Sequence, residues 1–276
     1  MKEIASTPVI DAWAQITTPR MAQSPFFATL RRWTATQDDE SGTTVEATVA
    51  AMDEAGVDLS LVAGWHGPQG SLISNDEVEA QIDATPERLR GLVGVDLTDP
   101  MGSVRDIKRL TADGRFVGVR IIPWLWERPP NHRSFYPIYV ACVEAGVPFC
   151  TQVGHTGPLR TSETGRPIPY LEDVLLDFPE LVVVGGHVGF PWIHELKSLC
   201  IRFPNFYLDT SAYVLDRLPP EFVDLMKGVA RGRVLFGTNW PMLPPARCLK
   251  GLDALELDAD EREGFLGGIA ARVFKL

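Results

Sequence analysis

Cysteine is scarce in this chain: its four residues, Cys142, Cys150, Cys200 and Cys248, stand far apart among apolar neighbours. No C-x-x-C pair occurs, so they read as buried free thiols in a reducing cytoplasm, not as a disulfide framework. Long apolar runs are missing too. None approaches the ~20 residues that cross a bilayer, and the opening MKEIASTPVID lacks the apolar core of a signal peptide. The expectation is a cytoplasmic protein with no membrane partner. Positive charge is in deficit, with 26 Lys and Arg against 36 Asp and Glu and a formal net charge of −10. A nucleic-acid binder would normally show a basic face. Neither common glycine-rich phosphate loop is present, nor a G-x-S-x-G elbow. With no linker or low-complexity tract, residues 1–276 read as one domain, near the usual size of a (β/α)8 barrel.

What is present is an alternation of short apolar runs with helical segments, the pattern of a parallel α/β fold. Eight runs begin near Val9, Leu59, Leu92, Val117, Phe149, Val182, Tyr207 and Val234. Eight strands with helices between and after them count out a (β/α)8 TIM barrel. The stretch from Ile16 to Gly42 is too long for an ordinary strand-to-helix loop and reads as an irregular functional insertion. Helices are expected from Thr43 to Ala55, from Asn75, itself the plausible N-cap, to Thr85, and from about Asp260 to Phe274.

The reactive face of such a barrel lies at the C-terminal ends of its strands. There the chain places Asp11, Trp13 and Gln15, then Trp65 and His66, Arg120 with Trp124 and Trp126, and Gln152 with His155. His187, Asp209 with Ser211, and Asn239 with Trp240 complete the circuit. Five of the seven tryptophans fall on this face, and their broad amphipathic rings suit a flat ligand. A single Trp or His at such a place is more often core packing, but the concentration favours a pocket. Arg120, Arg128, Arg160 and Arg166 lie on the same ends and loops and suit an anionic or carbonyl-rich ligand.

Five segments carry a resemblance: VIDAWAQ at the first strand, TQVGHTGP at the fifth, GGHVGFPW at the sixth, YLDTSA at the seventh and FGTNWP at the eighth. Together with the closing FLGGIAARVFKL they resemble the amidohydrolase-related family, in the branch typified by aminocarboxymuconate-semialdehyde decarboxylase. That branch includes lactone hydrolases and aromatic-acid decarboxylases. The resemblance covers nearly the whole chain and implies a barrel with its site at the mouth, where His187 handles a proton or polarises a substrate oxygen. It also implies metal ligands at positions held here by Trp13, Gln15, Gln152 and Asn239. An indole and three neutral amides are poor donors for a divalent ion.

The leading expectation is therefore a metal-independent hydrolase opening a lactone, ester or cyclic amide of a planar, acidic small molecule. His187, His155 and Asn239 would act on it, with Trp13, Gln15, Trp65, His66, Arg120, Trp124, Gln152 and Trp240 binding it. Water activation would fall to a histidine, and the amides would face the developing oxyanion. Alternatives are a non-oxidative decarboxylase or lyase on an aromatic acid, and a degenerate barrel that only binds a planar ligand. The cofactor expectation is none, with one divalent zinc or manganese at a relocated His66/His155 site as the alternative. The partner is a small molecule, and a homo-oligomer is open.

Overall fold

A computed structural model describes residues 7–34 and 41–276 of the chain. Eight strands form one parallel sheet in chain order: β1 Ile10–Ala14, β2 Leu59–Ala63, β3 Leu89–Gly94, β4 Phe116–Ile121, β5 Phe149–Gln152, β6 Val183–Gly186, β7 Phe206–Asp209 and β8 Val234–Leu235. The last strand meets the first. Ala12 N–H donates to the Phe236 carbonyl at 2.9 Å, Asn239 N–H to Trp13 at 2.7 Å and Gln15 N–H to Trp240 at 3.0 Å. The sheet is thereby drawn round into the barrel that the eight apolar runs require. β1, β4, β5 and β6 are buried at every residue, as strands covered by helices outside and packed side chains inside must be.

Helices fill the connections. The segment Val45–Ala55 is capped by the Thr44 hydroxyl and closed by Gly56 in the left-handed region at φ 68°. The next helix, Asn75–Ala84, starts one residue away from expectation. Ser74 is its N-cap, in a reciprocal box with Glu77. Asn75 instead bridges N–H and C=O of Gly94 at 2.9 Å each, pinning the end of β3. A short hairpin, Trp65–Gly67 with Gly70–Ile73, leaves the end of β2.

Two expectations change in detail. The insertion is not irregular: it carries helical turns at Pro19–Gln23, Pro25–Phe27 and Ala28–Thr34, while its positions 35–40 lie outside the described residues. The closing helix is interrupted. Ala259–Glu263 and Ile269–Phe274 flank a wider π turn at Gly264–Gly268. Within it Gly267 packs against the chain leading into β1, where a Cβ would lie 1.7 Å from the Pro8 carbonyl oxygen. Among the described residues no helix is long and apolar enough to cross a membrane.

Candidate functional site

The strand ends open on a cavity of about 500 Å³, at the β1, β2 and β8 side of the mouth. Gln15, Asn239, Trp65 and Trp240 line it, and the insertion supplies Met21, Phe27 and Leu30. Phe27 packs edge-on to Trp65 at 5.7 Å and to Trp124 at 6.2 Å. Trp124 therefore backs the wall instead of facing the cavity. Met21, Phe27 and Leu30 were not legible as site residues, because nothing in sequence aims an insertion. Its unusual length was the one signal.

Behind the cavity floor lies a buried charge. Arg120 is 2% exposed, with its guanidinium over the Trp13 ring at 4.6 Å and near Trp65 at 5.7 Å. Its Nη2 donates to Gln15 Oε1 and to the Ala14 carbonyl, both at 3.0 Å. Burial pulls its pKa down to about 9, against the pull of Cys150, Asp209 and Asp11, so it remains a cation at neutral pH. Gln15 is thus fully engaged, since its Nε2 also donates to Asn239 Oδ1 at 3.0 Å and to the Trp240 carbonyl. The amide free to serve a ligand is that of Asn239, whose Nδ2 meets only the weak Met242 sulfur at 3.7 Å. Trp13 is wholly buried and does not line the cavity, so its expected place against substrate is corrected. Its ring fills the barrel below the mouth, 4.9 Å from that of His187.

On the β5 to β7 side stands His187, half-buried, its Nδ1 2.6 Å from Ser211 Oγ. Ser211 Oγ in turn donates to Asp209 Oδ1. Burial, the Arg120 charge and His155 together push the His187 pKa down to about 3, so the ring is neutral at pH 7. Burial raises Asp209 to about 6 and Asp11 to about 7. Asp11 clamps β8 to β1 by accepting from Thr238 N–H and hydroxyl. His187 is not among the residues lining the cavity.

The remaining expected residues are held elsewhere. Gln152 turns its Nε2 onto the His155 carbonyl at 2.7 Å, which corrects its expected role as an oxyanion donor. His155 is exposed, with Nδ1 3.2 Å from the Phe190 carbonyl oxygen. His66 pairs with Asp96 at 3.4 Å and stacks on Trp126 at 6.3 Å. Arg160 and Arg166 are tied to Glu127 and Glu195.

Comparison with known proteins gives the site its relatives. A family model described as amidohydrolase matches residues 71–276. The chain is similar to gamma-resorcylate decarboxylase of Rhodococcus jostii, 21% identical over 253 residues, which cover 74% of this chain and 75% of that protein. An uncharacterised TIM-barrel protein from Bordetella bronchiseptica superposes with a TM-score of 0.79 at 23% identity, covering 96% of this chain and 98% of that one. A 5-carboxyvanillate decarboxylase from Novosphingobium aromaticivorans, crystallised with manganese and 4-hydroxy-3-methoxy-5-nitrobenzoic acid, gives 0.74 at 19%, covering 100% and 98%.

These findings correct two expectations. The hydrolase reading gives way to its alternative, because most relatives with a stated activity are decarboxylases of aromatic acids, with a probable 2-pyrone-4,6-dicarboxylic acid hydrolase beside them. The expectation of no metal is overturned by the manganese in the Novosphingobium enzyme. The donors for such an ion are nonetheless not assembled here. The described residues hold no group of three or more His, Cys, Asp and Glu able to bind one, at His66 and His155 or elsewhere. Trp13, Gln15, Gln152 and Asn239 stand at the positions the resemblance gives to ligands, and the Arg120 cation bonds to Gln15 among them. This donor set does not fit an ordinary divalent ion.

Proposed function

The chain belongs to the amidohydrolase family, and from that premise we propose that it is a lyase removing the carboxyl group of a small aromatic acid without oxidation. In such a step the bond between ring carbon and carboxylate breaks, CO2 leaves, and the electron pair stays on the carbon until a proton replaces it. The reaction asks for a site that strips water from the carboxylate and for a group that handles one proton.

The observation that carries this reading is the make-up of the cavity. Rings and thioethers from Phe27, Trp65, Trp240, Met21 and Met242 form its wall, and the Gln15 and Asn239 amides and the Arg31 side chain also line it. A flat acid fits such a wall, and Asn239 Nδ2 can hold an oxygen of the ligand. The fixed Arg120 charge behind Gln15 favours an anion in front of it. In this reading His187, neutral at pH 7, handles the proton, which asks that the reacting carbon lie toward the β6 side of the mouth. The whole chain, in this reading, is one catalytic barrel domain.

The test is a panel of hydroxybenzoic acids, including 2,6-dihydroxybenzoate and 5-carboxyvanillate. They are incubated with the protein in D2O, both with added manganese and after chelation. The expected result is CO2 release with one deuterium at the vacated ring carbon for each CO2. Ring opening of a pyrone lactone, with no CO2 from any aromatic acid, would overturn it.

A further inference from the structure

The bonds around Ser211 settle where its one hydrogen lies. Asp209 Oδ1 accepts the N–H of Ser211 at 2.8 Å and that of His187 at 3.3 Å. Two N–H dipoles aimed at Oδ1 favour negative charge there and oppose a proton on it, so the hydrogen in its bond with Oγ belongs to the serine. Any proton on Asp209 would sit on Oδ2, which is buried without a partner. Oγ also accepts the His187 N–H at 3.2 Å. With its hydrogen committed to Asp209, Oγ can only accept from the His187 Nδ1 that stands 2.6 Å away. Nδ1 must carry the hydrogen.

We propose that Ser211, oriented by Asp209, holds His187 as the Nδ1–H tautomer, which leaves Nε2 with a bare lone pair. Ser211 and Asp209 are then positioning residues, and the catalytic atom is Nε2. That atom's role, taking a proton from solvent and passing it to the ring carbon that CO2 has left, rests on the lyase reading above; the tautomer does not. The backbone supports the assignment. His187 and Val188 sit at φ 74° and 64°, in the left-handed region that β-branched Val in particular disfavours. Bonds from the His187 N–H to Asp209 and Ser211, and from the Val188 N–H to the Asp209 carbonyl at 3.3 Å, hold that geometry. Burial first, and then Arg120 and His155, oppose a positive ring, so the imidazole is neutral and the tautomer meaningful.

The test is 15N NMR of the full chain with labelled histidine at pH 7, the His187 signals being assigned by comparison with His187→Gln. The wild type should show a protonated, pyrrole-type Nδ1 and a pyridine-type Nε2. Asp209→Asn keeps the accepting Oδ1 and should keep this pattern. Ser211→Ala should release the ring toward Nε2–H, the form favoured by a free imidazole side chain. On whichever aromatic acid loses CO2, Ser211→Ala should lower kcat by ~10–100-fold with KM little changed, as for other orienting partners of a histidine. An Nε2–H signal in the wild type overturns the proposal even if no variant folds, and so does an unchanged tautomer in folded Ser211→Ala. If the tautomer is as stated and no aromatic acid is decarboxylated, the lyase reading falls and the positioning role stands.

Discussion

At the residue scale the buried titrating groups give opposing signs with pH. His187 has its pKa lowered from an ordinary 6.5 to about 3, so on acidification the unfolded chain takes up that proton first. The stabilising contribution of the neutral ring is full above pH 6.5 and is lost as the pH falls toward 3. Asp209 and Asp11 run the other way, raised from 3.8 to about 6 and about 7. Their contribution is full below the ordinary carboxylate value and is lost as the pH rises through those values. His187→Gln should therefore fall less steeply in unfolding free energy than the wild type between pH 6.5 and 3. The difference should approach about 1.4 kcal/mol per pH unit within that window. Urea unfolding at several pH values reads it, and parallel curves would contradict it. The sequence showed His187, Asp209 and Ser211 at strand ends, but strand-end position alone does not say that one oxygen joins them.

At the element scale the end of β6 shows how packing selects residues. A Cβ on Gly186 would meet the Trp13 ring at 2.5 Å, and that ring is wholly buried between His187 and Arg120. Gly186→Ala is expected to destabilise by about 1–3 kcal/mol through overpacking. A lower Tm with altered Trp fluorescence would show it, whereas an unchanged Tm would mean the ring can yield. The eight strands were readable because each is a short apolar run with a full stop after it. The insertion was readable only as a length. Its helical turns pack through Phe27 on Trp65 and Trp124, partners nearly 40 or more residues away, and so its contribution to the cavity wall had no local signature. The close approach of Gly267, in the π turn, to the Pro8 carbonyl was hidden for the same reason, since Pro8 lies at the other end of the chain.

At the scale of the whole molecule, a ligand that fills the cavity bridges the insertion, β1 and β8, and should stabilise the barrel as a unit. An aromatic acid at a hundred times its Kd should add about 2.7 kcal/mol, a rise of several degrees in Tm. The same acid should give no shift with Trp65→Ala if that ring forms the wall it stacks on, and an undiminished shift would place binding elsewhere. By itself the sequence determined the parallel barrel and the family, because strand period and chain order are local properties. It also showed that Trp13, Gln15, Gln152 and Asn239 stand where ligands are implied. Only the tertiary structure decided which of these groups are free. Gln15 is taken up by Arg120 and Asn239, Gln152 by the His155 carbonyl, and Trp13 by the core. The physical reason is that a hydrogen-bonding group has a fixed capacity, and its partners are chosen by closure of the barrel across 106 residues between Ala14 and Arg120 and 224 between Gln15 and Asn239. No spacing along the chain records that choice.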